Sequence, residues 1–155
     1  MRRLILGVAA ACAIVALTAS GAPAKNGNGV MCVLHARLTT TNETTGSTST
    51  ARGHTQIKVR ANGTIEFKTH ILNQNGETFV AGHIHQAPVG VAGPIVVPLF
   101  VSPTPATNAR HIRQSGVANP FAGTTGADLC TNPSAYYVNY HTTAFTGGAI
   151  RGQLH

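Results

Sequence analysis

Between residues 30 and 38 apolar side chains fall on every second position, at Val30, Cys32, Leu34, Ala36 and Leu38, which predicts a strand with one buried face. The same period of two recurs over residues 54–61 and 64–71. There Ile57 and Val59 face a core from one arm and Ile65, Phe67 and Ile71 from the other, leaving His54 and His70 on the opposite, solvated face. Asn62-Gly63 separates these arms and predicts a hairpin with a type I′ turn, because both residues tolerate positive φ. Residues 78–85, 95–101, 136–141 and 149–154 complete the set of expected strands. Pro98, inside the second of these, argues for an edge position or a bulge. No segment carries an apolar pattern of helical period. The expected fold is all-β, with short antiparallel strands arranged as a sandwich or Greek-key barrel.

The connections are read from their Thr, Ser, Gly, Asn and Pro content. Residues 39–53 predict a long exposed link and residues 73–76 a turn. Residues 102–135 predict an irregular loop holding at most a short helix or strand and tied down by Cys130.

The N-terminus changes the picture. Arg2 and Arg3, the apolar run over residues 4–17 and the ending Ala22-Pro23-Ala24 predict a secretory signal peptide over residues 1–24, leaving one exported domain over 25–155. The apolar run is shorter than the roughly 20 residues a membrane span needs, so no span is expected. Cys12 leaves with the leader, and Cys32 and Cys130 remain as a disulfide in an oxidising compartment. Residues 25–155 hold nine Lys and Arg against four Asp and Glu, a formal charge of +5. These cations look scattered along the chain, with no basic run interleaved with aromatics, which argues against nucleic acid as a partner. They allow a mild attraction for small anions or an anionic cell surface.

Candidate chemistry centres on Ala81–Pro88, AGHIHQAP. In a strand His83 and His85 point to one face and Ile84 to the other, a pair suited to a metal ion or an anion. If Val138 and Tyr140 face the core, Asn139 and His141 face out; if Ile150 and Leu154 face the core, Arg151 faces out. Three histidines and an arginine can then share an outer face. Phe79 and Ala81 have the same parity as His83, a conflict that a bulge at Gly82 would remove. The acidic residues Glu43, Glu66, Glu77 and Asp128 are dispersed, and no G-x-S-x-G, H-E-x-x-H or phosphate loop is present.

AGHIHQAPVGVAGPIVVPL, YYVNYHT and GGAIRGQL, in that order, resemble the successive signatures of the CHRD (chordin) domain family. Gln86 stands where that family's pattern has glycine. The resemblance implies an immunoglobulin-like β-sandwich in an exported protein. It further implies, by the likeness of HIH, a later His and Gly-Gly-x-x-Arg to copper-zinc superoxide dismutases, a transition-metal site at His83, His85 and His141. Copper is the expected metal, zinc the alternative, and His35, His70 or His155 a fourth ligand. Arg151 would then be the catalytic cation that draws in a small anion such as superoxide, or else an arginine fixing a loop through carbonyls. The rival expectation is a non-catalytic extracellular module for a protein or cell-wall ligand.

Overall fold

The computed structural model describes residues 29–101 and 107–155; the expected leader lies outside them. Eight strands run in chain order: β1 Val30–Thr39, β2 Arg52–Arg60, β3 Ile65–Leu72, β4 Phe79–Gln86, β5 Ile95–Val101, β6 His111–Ala118, β7 Tyr136–Thr142 and β8 Ile150–Gln153. One short helix, α1 Gly126–Thr131, precedes β7. No helix among the described residues is long and apolar enough to cross a membrane.

All pairings are antiparallel, in one continuous sheet of order β5-β4-β7-β8-β1-β2-β3-β6. Its two end strands approach each other. The amide of Phe121, just beyond β6, donates to the carbonyl of Val96 in β5 at 2.8 Å, so the sheet curls into a nearly closed, barrel-like form. The interior is filled by the inward halves of the alternating strands, among them Leu34, Leu38, Ile57, Ile65, Ile71, Ile84 and Ile150. It also holds Thr55, Thr69 and Tyr140. The Tyr140 hydroxyl donates to Thr69 Oγ1 at 2.8 Å, and Thr69 lies 2.9 Å from Thr55 Oγ1, so a bond from β7 to β3 crosses the interior between strands that are not neighbours in the sheet. Buried hydroxyls are tolerated because they satisfy one another.

Four expectations change. The β2–β3 hairpin forms, but Arg60 and Thr64 flank a three-residue loop in which the amide of Gly63 returns to Arg60. Gly63 has φ +86 while Asn62 does not have positive φ, so the type I′ turn is replaced by the three-residue hairpin with a left-handed glycine. Residues 102–135 hold a full edge strand, β6, and α1, which a Thr125–Asp128 capping box starts. The link after β1 is pinned rather than loosely exposed: Ser49 is buried and donates to Glu77 Oε1 at 2.8 Å, and Ser47 donates to the carbonyl of Ala149 at 2.9 Å. The basic residues, scattered in sequence, gather on one face, as described below.

The Cys32–Cys130 disulfide joins β1 to α1, with Cα atoms 5.9 Å apart. β5 is an end strand, and its pairing with β4 shifts register on either side of Pro98, so both readings of that proline hold.

Candidate metal centre

β4 pairs with β7, and β7 with β8, which sets His83 opposite Asn139 and Asn139 opposite Arg151. Phe79 and Ile84 both face the core although five positions separate them, because the β4–β7 register shifts between Phe79 and Ala81. The extra residue re-phases the strand, so Gly82 and Ile84 point inward while Ala81, His83 and His85 take the other face. The bulge lies just before Gly82. Its consequence is the one the alternation required.

That other face is covered. His85 is 7% exposed, His141 8% and Arg151 2%, so two of the three histidines are buried and His83 is half-buried beside them. The physical reason is the segment after β4, which folds back over the strands. Arg151 Nη2 donates to the carbonyls of Val91 at 2.7 Å and Pro88 at 3.3 Å, and Gln153 Nε2 donates to Ala87 at 2.8 Å. The Gly93 amide donates to the Tyr137 hydroxyl at 3.1 Å. Gly93 packs its Cα against Gln86 so closely that a Cβ would collide with the Gln86 carbonyl.

His83, His85 and His141 come together, with one ring nitrogen from each lying within 4.8 Å of the others. Carbonyl groups orient two of them. Nδ1 of His85 lies 2.9 Å from the Gly93 oxygen and Nδ1 of His141 2.9 Å from the Thr146 oxygen; a carbonyl only accepts, so both Nδ1 atoms carry protons. Each Nε2 therefore keeps its lone pair. His141 Nε2 accepts from His83 Nδ1 at 3.1 Å, whereas His85 Nε2 is buried without a hydrogen-bond partner. Burial, and then the neighbouring His141 and His85, push His83 down to about 4. Burial also lowers His85 and His141, against the opposing pull of their carbonyl bonds. Neutral imidazoles with fixed tautomers are what a Cu(II) or Zn(II) ion requires of its ligands.

The remaining candidates separate from this group. His35 stands 3.2 Å from His54, with His155 nearby, and His70 stands 3.4 Å from His111, so none of the three proposed fourth ligands belongs to the cluster. Arg151 stacks over Tyr137, 3.4 Å from the ring centroid. A residue not singled out from sequence also enters the region. The turn at Gly148 brings Asn139 and Glu43 together, since a Cβ there would lie 2.6 Å from Asn139 Nδ2 and 2.8 Å from both Glu43 oxygens. Burial raises the Glu43 pKa, with the Arg151 charge opposing. No local motif marked Glu43, because its role comes from the pinned link that follows β1.

A strongly curled antiparallel sheet, a crosslinking disulfide and a largely covered imidazole cluster make this an all-β module whose disulfide fits an extracellular location. Residues 34–154 match the model of the CHRD domain, and the chain belongs to that family. No curated protein and no solved structure matches it. The expected likeness to copper-zinc superoxide dismutases thus finds no counterpart.

Proposed function

We propose that this chain is an exported CHRD-domain module, built on an immunoglobulin-like Greek-key scaffold after removal of residues 1–24, that holds a transition-metal ion through His83, His85 and His141. The observation that carries this is the buried His85 Nε2, an acceptor without a partner beside two other imidazoles. A buried acceptor left unpaired costs about 1–3 kcal/mol, a cost that coordination removes. A bound copper ion would supply one-electron redox chemistry, and zinc Lewis acidity.

This chain's own contribution is orientation and shielding. The Gly93 and Thr146 carbonyls fix two tautomers, and the segment held by Arg151 limits the access of water. The finer form of the proposal is copper-dependent superoxide consumption with Arg151 guiding the anion. The influence of the Arg151 charge on His85 favours it; the commitment of that guanidinium to two carbonyls favours a positioning role.

The test is metal titration of the purified chain with Cu(II) and Zn(II), followed by superoxide assays before and after chelation. Binding of one equivalent, lost in His83→Ala/His85→Ala with the fold retained, supports the site. A protein that takes up neither metal refutes it and leaves the non-catalytic module. Metal uptake without superoxide consumption removes only the redox form.

A further inference from the structure

Six of the eight lysines and arginines among the described residues project from one side of the sheet formed by β1, β2, β3 and β6: Arg37, Arg52, Lys58, Arg60, Lys68 and Arg113. The pairing aligns them. Arg37 is opposite His54, His54 opposite His70 and His70 opposite Arg113, an uninterrupted row across four strands. With strands about 4.8 Å apart, the row is roughly 14 Å long. All four residues are exposed. The single carboxylate on this face, Glu66, is engaged by Arg60 at 2.6 Å and Lys58 at 3.8 Å.

The pairing sets no cation directly opposite another: Arg37 and Arg113 stand at the two ends of the row with His54 and His70 between them, so the face gathers positive charge without cross-strand repulsion. Its charges oppose a metal dication, despite the paired histidines. The surface is grooved. A cleft of about 430 Å³ is lined by Lys68, His70, Arg113, Gln114 and Ser115 among others, and it continues through His54 and His70 into a second cleft bordered by Arg37 and Arg52. Cations here alternate with the amide of Gln56 and the hydroxyl of Ser115, groups that suit sugar hydroxyls. No Phe, Tyr or Trp lines the clefts to stack bases, as single-stranded nucleic acid would need.

We propose that the outer face of β1-β2-β3-β6 binds a linear acidic polysaccharide, a glycan carrying carboxylate, sulfate or phosphate groups, laid along Arg37, His54, His70 and Arg113. This surface is separate from the histidine cluster of β4 and β7, and its function does not depend on metal.

The experiment measures binding of the full chain to fluorescent polygalacturonate and dextran sulfate by anisotropy. Neutral dextran, single-stranded DNA and vesicles containing phosphatidylglycerol serve as comparisons. Acidic glycans bind, neutral dextran does not, and affinity falls steeply with salt. Arg113→Gln weakens binding about 5-fold or more and Lys68→Gln/Arg113→Gln further, while Arg110→Gln, the same charge change outside the row, leaves it within about 2-fold. His83→Ala binds the glycan as the native chain does. Equal losses in Arg113→Gln and Arg110→Gln, or tighter binding to DNA or vesicles than to either glycan, would overturn the proposal.

Discussion

Nδ1 of His85 donates to the carbonyl of Gly93 at 2.9 Å, and that one bond leaves the lone pair of the imidazole on its buried Nε2. The bond exists because a glycine lets the returning chain touch Gln86. Gly93→Ala pushes this segment outward and frees the ring. Cu(II) or Zn(II) affinity is expected to drop about 10- to 100-fold, the usual cost of losing a group that orients a ligand. Calorimetric titration beside a circular dichroism spectrum separates this from unfolding, and unchanged affinity would remove the orienting role.

His83 titrates at about 4 in the fold and near 6.5 in an unfolded chain. A depressed folded value means that the unfolded state binds more protons at intermediate pH. The stabilisation is complete above about 6.5 and is lost as pH falls toward 4. Thermal melts of the metal-free protein should show Tm declining across that window, more steeply than in His83→Gln. Identical pH profiles for the two proteins would contradict it.

Cys32 and Cys130 are 98 residues apart in sequence, and closing a loop of that length contributes on the order of 4–5 kcal/mol in the chain-entropy model. Cys32→Ala/Cys130→Ala should lower the denaturant midpoint accordingly. A thiol assay on the denatured, unreduced chain should find none in residues 25–155.

Arg151→Lys retains the cation but loses the planar group that bonds Pro88 and Val91 and stacks on Tyr137. A loss of about 1–3 kcal/mol is expected from the unpaired carbonyls. Measured together, Tm and the superoxide rate of the metal-loaded protein distinguish the two roles of this residue. A lower Tm marks positioning; an unchanged Tm with a changed rate marks anion guidance.

Seven of the strands were legible because alternation survives wherever one face meets the core. β6 was hidden. Its inward positions are Ile112, Gln114, Gly116 and Ala118, and the glycine stands there because the Phe67 ring occupies the room a side chain would need. The shared facing of His83, His85 and His141 followed from strand phase, including the need for a bulge near Gly82. The burial of His85 and His141 did not, since alternation reports which side a residue takes and says nothing of what folds over that side. Covering depends on contacts such as Arg151 with Val91, between segments far apart in sequence. The basic face was missed for a related reason: a row of charges running across strands is dispersed when the same residues are read along the chain.

Outside a cell, a chain meets proteases, and the segment between β4 and β5 offers them Val89, 76% exposed. A cut after Val89 divides the chain so that His83 and His85 fall on one fragment and His141 on the other. The same cut leaves Cys32 on the first fragment and Cys130 on the second, and their bond keeps the two in one molecule. The nicked protein should therefore migrate whole until it is reduced, with the halves of its histidine cluster still tethered.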